Sequence, residues 1–217
     1  AQTGLDTRIA AFASGADEYL PKPLADEELI ARVALRVERS RLLKERRERD
    51  PVTGLLIRRS FMERFNAVIA SARRCLQPVS LILFDIDYFK QVNDQHGHLA
   101  GDSTLSGLGR LMRKRFRVED LRGRWGGDEF VLAFVGCDKS QSLNLMQKFL
   151  TEFSQIEFRS DSGDKFKATL SAGIACFPED SDNTYDLFRI ADSRLYEAKA
   201  RGRNRAIAVS EAGILGE

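Results

Sequence analysis

Hydrophobic and polar positions along the chain follow two periods, and the changes between them mark the elements. Residues 26–49, "DEELIARVALRVERSRLLKERRER", contain no proline or glycine. Leu29, Ile30, Val33, Ala34 and Val37 recur there at helical spacing, which predicts one long helix opened by Asp26 as N-cap. Beyond Glu38 the apolar stripe thins and charge dominates, as in a solvated linker or one strand of a short coiled coil. Upstream, the pattern predicts a short helix over Arg8–Ser14 ended by Gly15, a short strand over Glu18–Leu20 and a turn at "PKP" (21–23). Pro51 and Gly54 in "RDPVTG" end the long helix and place a boundary near residue 50.

Beyond that boundary helices and strands mix. Helical spacing predicts helices over Arg59–Arg74, Asp102–Arg115, Ser140–Phe153 and Thr184–Ala200. "VSLILFDID" (79–87) is apolar on both faces until Asp85, which predicts a strand buried on both sides. Arg122–Trp125 and Glu129–Val135 flank Gly126 and Gly127 as a hairpin. Lys165–Ala175 reads as a strand, and Ala206–Val209 as a last short one. "NDQHGHLAGD" (93–102) reads as a polar connection before a helix. The pattern is that of an α/β domain with a hairpin in its sheet.

Composition narrows the picture only in part. A length of 217 residues suits one large domain, or one domain with an appendage. Hydrophobic residues at 43% and charged residues at 30% support a folded core. A net charge of +2 gives no overall argument for a nucleic-acid or membrane partner. Cys75, Cys137 and Cys176 are odd in number and far apart, which argues against a disulfide framework or a zinc site. With no signal peptide and no apolar run that could span a bilayer, a reducing cytoplasm is the simplest compartment.

The candidate chemistry is acidic. Asp85 leaves an apolar strand, where a carboxylate is costly unless it is solvated, paired or bound to a cation. Asp87 follows at strand spacing, and the hairpin tip carries Asp128 and Glu129. If these meet, a hard divalent cation such as Mg²⁺ is the usual resolution of their repulsion. Gly126 and Gly127 would let a ligand approach the backbone. Lys90 follows "DIDYF", and Lys199 and Arg203 are four apart at the end of the last predicted helix. Carboxylates, a metal and convergent cations suit a nucleoside triphosphate. Asn93 and Asp102 together offer the donors and acceptors that a guanine edge requires, although Asp102 also fits a helix N-cap.

The motifs together resemble the GGDEF family, the diguanylate cyclases. "RWGGDEF" (124–130) resembles the family signature and "DPVTGL" (50–55) its opening motif. "FDIDYFKQVND" (84–94) resembles its metal-binding strand and loop, "GHLAGD" (97–102) its guanine-binding turn, and "ADSRLYEAKARGRN" (191–204) its closing helix. The resemblance implies an α/β (α+β) fold similar to adenylate cyclases and the polymerase palm, with a central, mostly antiparallel five-stranded sheet wrapped by helices. It implies condensation of two GTP into cyclic di-GMP by a homodimer. Asp85, Asp128 and the Ile86 carbonyl would hold Mg²⁺ or Mn²⁺. Phe89, Asn93, His98 and Asp102 would contact the nucleotide, and Lys90, Lys199 and Arg203 its phosphates. Asp128 or Glu129 would be the base at the catalytic edge formed with Gly126 and Gly127, while Asp87 would be structural.

"RVED" (117–120) resembles the family's inhibitory site for cyclic di-GMP, formed by Arg117 and Asp120. Lys148 stands where the family has a further arginine; it keeps the charge and loses the fork, which implies weaker product inhibition. Ile57 replaces a usual asparagine and Trp125 a common tyrosine. "GADEYLPKPL" (15–24) resembles the end of a response-regulator receiver domain. The expected organisation is a receiver remnant over 1–25, a linker helix over 26–49 and the GGDEF domain over 50–212. The alternatives to an active cyclase are a non-catalytic module that binds GTP or cyclic di-GMP, and a dimerisation fragment.

Overall fold

The computed structural model describes residues 4–20 and 22–209. The chain forms two compact units, Ala1–Glu45 and Arg46–Glu217. In the first, α1 (Leu5–Ala13) precedes the long helix α2 (Asp26–Glu48), which begins with Asp26, Glu27 and Glu28. Negative side chains there complement the helix dipole. Along α2, Ile30, Val33 and Val37 are 67%, 52% and 62% exposed, so its apolar stripe lacks a cover within this unit. The strand expected over Glu18–Leu20 does not form. A strand needs a neighbour for its N–H and C=O groups, and no described segment of the unit offers one. The turn expected at 21–23 begins at Pro21, outside the described residues.

The second unit is built on a six-stranded sheet in the order β1-β3-β4-β2-β7-β8. In chain order its strands are β1 (Leu56–Ile57), β2 (Val79–Ile86), β3 (Leu121–Gly126), β4 (Glu129–Val135), β7 (Leu170–Phe177) and β8 (Ala206–Ile207). A separate two-stranded hairpin pairs β5 (Phe158–Arg159) with β6 (Lys165–Phe166). The helices are α3 (Arg58–Cys75), α4 (Phe89–His96), α5 (His98–Arg115), α6 (Lys139–Ser154) and α7 (Thr184–Ala200). The four central strands pair antiparallel, while β1 joins β3 and β8 joins β7 in parallel.

The sheet has six strands rather than the five expected. Its extra member β1 is two residues long, too short to show a period. The strand expected over Lys165–Ala175 splits into β6 and β7. Phe166, Ala168 and Leu170 are all buried, so their alternation runs on through the break. The connection expected over 93–102 is mostly helical, because α4 precedes α5 there. Asn, Asp and His are weak helix formers, and α4 is held by burying Val92 and packing Phe89 on the core.

Helices cover both faces of the sheet. Ile82, Phe84, Phe130 and Leu132 meet Leu108 and Met112 of α5 and Met146 and Phe149 of α6. Leu81, Leu83 and Val131 meet Phe61 and Phe65 of α3 and Leu187 and Ala191 of α7. Every residue of β2 is buried, which is why its sequence shows no polar face.

Two acids held by ion pairs, Asp180 and Asp50, pin the connections. Arg194 of α7 forks onto Asp180 through two bonds of 2.8 Å and donates to the Ile174 carbonyl at 2.7 Å. Lys139 and the Cys176 amide also donate to Asp180, at 2.9 and 2.8 Å. Burial pushes the Asp180 carboxyl up, but Arg194, Lys139 and the Cys176 amide outweigh it, and the net shift is downward from 3.8. At the other edge, Arg124 of β3 donates to both Asp50 oxygens, at 3.1 and 3.0 Å. It also grips the Gly127 carbonyl at 2.9 and 2.7 Å. The Thr53 amide and hydroxyl donate to Asp50 at 2.8 and 2.7 Å.

Breaking either the buried Arg194–Asp180 pair or the half-buried Arg124–Asp50 pair leaves a charge without its partner. Asp180→Ala is expected to cost about 3–5 kcal/mol in urea unfolding. The folded Asp180 has the lower pKa, so its stabilisation is present above the unfolded value and lost as pH falls through the folded one. Asp180→Asn should therefore flatten the acid limb of stability below about pH 4, relative to wild type. Arg124→Lys should lose stability as well, because an ammonium cannot fork across Asp50 and Gly127; unfolding indistinguishable from wild type would refute that bracing role.

Candidate active site

Three strand ends meet at one edge of the sheet. Antiparallel register places Asp85 of β2 opposite Glu129 of β4 and Ser171 of β7. Asp85 is only 7% exposed, and its carboxylate receives Lys199 Nζ from α7 at 2.9 Å. Burial drives the Asp85 carboxyl from 3.8 up to about 6; Lys199 opposes this, and the negative Asp128 and Asp87 add to it. The fold thus brings the charges of Asp128 and Asp87 close enough to act on Asp85.

The glycine turn is tied to this strand end. Gly127 takes φ +52, the left-handed region that glycine tolerates, and the register shifts between Arg124 and Gly126. The Ile86 amide donates to the Asp128 carbonyl at 3.3 Å, which clips the turn to the end of β2. Arg124 holds the Gly127 carbonyl from the other side. Sequence reasoning missed Arg124, Asp50 and Thr53 as supports of this turn. Their available signal was an arginine two residues before a glycine pair and an Asp three residues before a Thr.

Asp87 has a different fate from Asp85. It accepts from Ser171 Oγ at 2.6 Å, Thr169 Oγ1 at 2.7 Å and the Asn204 amide at 3.1 Å. These bonds occupy its carboxylate and fasten the end of β2 to the loop after α7. Arg203 lies in that loop at φ +63, beyond the end of α7 at Ala200, so it does not share a helical face with Lys199 as its spacing suggested. Its guanidinium stacks over the Tyr88 ring at 4.2 Å and donates to the Tyr88 hydroxyl at 3.0 Å.

The remaining candidates line α4 and α5. Lys90 is exposed in the first turn of α4, whose N-cap residue Tyr88 makes no side-chain cap bond. The amides of that turn are thus open to an anion. Phe89 and Asn93 follow on α4, and His98 opens α5. Asp102 is not the N-cap of α5, because Gly97 holds that position and Asp102 sits a turn further in, exposed. Asn93 Oδ1 fills the space that a Cβ on Gly101 would need, so the Asn93 amide packs beside the backbone next to Asp102.

Arg117 and Asp120 stand apart from this edge. Asp120 precedes β3, whereas the glycine turn follows its other end. The Arg117 amide donates to Asp120 at 3.0 Å, and the Arg117 side chain is exposed. Burial raises the Asp120 carboxyl, with the Arg117 and Val135 amides opposing. Lys148 is exposed on α6.

Among the described residues, no three His, Cys, Asp or Glu side chains form a ready cation cage. The donor set still fits a hard cation. It offers two carboxylates, Asp85 and Asp128, and the Ile86 carbonyl, all oxygen. Mg²⁺ is commonly held by one or two carboxylates together with substrate phosphates rather than by a full protein cage. The strained ionisation of Asp85 is the local feature that a cation would relieve.

Residues 47–205 match the family model described as "Diguanylate cyclase, GGDEF domain". The chain is 30% identical over 210 residues to the response regulator PleD of Caulobacter vibrioides, covering 92% of this chain and 46% of that protein. It is 36% identical over 156 residues to the diguanylate cyclase DgcP of Pseudomonas aeruginosa, covering 72% of this chain and 23% of that one. The chain thus spans less than half the length of these curated relatives. Among solved structures, the GGDEF domain of DgcB from Caulobacter crescentus, determined in complex with c-di-GMP, superposes with a TM-score of 0.70 at 28% identity. That match covers 75% of this chain and 96% of that one. Sheet, strand-end carboxylates and glycine turn therefore come together with a family match over most of the chain, which belongs to the GGDEF diguanylate cyclase family.

Proposed function

We propose that the chain is a catalytically competent diguanylate cyclase that condenses two GTP into cyclic di-GMP and releases two pyrophosphates. The observation that carries this reading is the meeting of Asp85, Asp128 and Lys199 at strand ends beside an open glycine turn. Asn93 and Asp102 read the guanine, and Phe89 and His98 line its approach. Lys90, Lys199, Arg203 and the open amides of α4 take the phosphates. Asp85, Asp128 and the Ile86 carbonyl would hold Mg²⁺ or Mn²⁺, which would offset charge on the triphosphate when bound. The 3′-hydroxyl of one GTP forms a bond to the α-phosphorus of the other, its proton passes to Asp128 or Glu129, and pyrophosphate leaves. The same exchange in the opposite sense closes the ring.

Each domain presents one such edge, so two domains must face each other and the working form is a homodimer. The uncovered stripe of Ile30, Val33 and Val37 on α2 supports pairing through the linker. The match to a response regulator over 92% of the chain supports placing residues 1–25 as a receiver remnant and 26–49 as the linker of a two-component protein. No helix among the described residues is long and apolar enough to cross a membrane, and a cytoplasmic setting accords with the free cysteines and with GTP as substrate. Arg117, Asp120 and Lys148 form the proposed inhibitory site for product.

Incubation of the protein with GTP and Mg²⁺ should yield cyclic di-GMP and pyrophosphate, measured by chromatography. Asp128→Ala should lower the rate by roughly 10²–10⁴-fold with the fold retained. Absence of product from the dimeric protein, or an Asp128→Ala rate equal to wild type, would sink the reading. Arg117→Ala should leave the initial rate within about twofold and raise the product concentration needed for half-inhibition by roughly tenfold or more. Unchanged inhibition would remove Arg117 from the product site.

A further inference from the structure

The β5–β6 hairpin stands outside the main sheet, yet one of its side chains reaches the nucleobase end of the site. Helix α5 begins at His98 with Gly97 in the N-cap position, and glycine has no side chain with which to cap. The Ala100 amide, third in the helix, instead donates to Asp161 Oδ1 at 3.0 Å. That is the bond an N-cap side chain normally accepts, supplied here from 61 residues away. A Cβ on Gly97 would collide with Asp161 Oδ2, and Gly97 has φ +92. The glycine therefore leaves the space that the borrowed carboxylate fills.

The carboxylate is delivered by an ordered turn. Within it the Ser160 amide donates to the Asp164 carbonyl at 2.8 Å, the Asp164 amide to Ser160 Oγ at 2.8 Å, and the Gly163 amide to the Ser160 carbonyl at 2.9 Å. The Asp161 amide donates to the His96 carbonyl at 2.8 Å, and the His96 ring stacks on Phe166 at 4.1 Å. The hairpin thus grips the end of α4 and the start of α5 together. Asn93 and Asp102 flank those grips and are linked through Gly97 and Gly101: Gly97 donates to the Asn93 carbonyl at 3.0 Å and Gly101 to the Gly97 carbonyl at 3.2 Å.

We propose that Asp161 is a positioning residue for guanine recognition. It caps α5 in trans and so sets the spacing between Asn93 and Asp102. Ala100 is 1% exposed with Asp161 in place, so loss of the carboxylate removes the partner of its amide and loosens the first turn of α5. Asp102 moves with that turn. The inference rests on the reading of Asn93 and Asp102 as the base-reading pair.

The test compares binding of GTP and ITP, as non-cleavable α,β-methylene analogues with Mg²⁺, in wild type, Asp161→Ala and Asp161→Asn. Inosine lacks the 2-amino group that the pair would read. Asp161→Ala should weaken GTP-analogue binding by roughly fivefold and narrow the preference over the ITP analogue. In turnover, its KM for GTP should rise while kcat stays within about twofold. Asp161→Asn should restore binding and selectivity, because the amide oxygen still accepts from Ala100. Equal losses for both analogues, or unchanged selectivity in Asp161→Ala, would overturn the positioning role and leave the cyclase reading standing. A wild-type protein that fails to prefer the GTP analogue would overturn both.

Discussion

The burial of Asp85 is the constraint on which the site depends. A carboxylate at the end of a fully buried strand is expensive, and the chain meets that cost with Lys199 at 2.9 Å. The pairing is incomplete, because burial and the nearby negative charge of Asp128 leave the Asp85 carboxyl raised to about 6. Unsatisfied negative charge beside a lysine and a glycine turn is the feature on which the proposed binding of a metal and a phosphate chain rests. The sheet register, the glycine turn and α7 all act to hold that one group in place.

Asp87 shows how two acids of identical spacing diverge. Both lie in "DID", and residue type and spacing alone do not separate them, although the family resemblance sets Asp87 apart as structural. In the fold, Asp87 receives two hydroxyls and an amide, so its oxygens are occupied by the protein. Asp85 receives one lysine and keeps a free edge. The first fastens the loop after α7 to the end of β2, and the second remains available for chemistry.

Arg124 plays a comparable part on the far side of the turn. Its planar fork spans Asp50 and the Gly127 carbonyl, so the opening "DPVTG" segment and the glycine turn share one side chain. The β5–β6 hairpin makes a comparable link at the start of α5, where Asp161 accepts from the Ala100 amide. Such supports come from segments that carry no chemistry of their own, and their distance in sequence hides them.

The sequence by itself determined the elements with strong periods: the long helix from Asp26, the buried strand ending at Asp85, the glycine hairpin and the apolar faces of α5, α6 and α7. It also supplied the residue types of the site, since carboxylates, glycines and cations are visible as letters. Short or weakly periodic pieces escaped it, among them β1, helix α4 and the break between β6 and β7, because two residues show no period and a helix such as α4 forms only when its apolar side is buried. Only the tertiary structure decided which groups hold Asp87, where Arg203 lies, and that Asp161 caps a helix 61 residues away. Those outcomes depend on contacts between distant segments, and local propensity carries no information about which distant groups will satisfy a buried charge or an orphan amide.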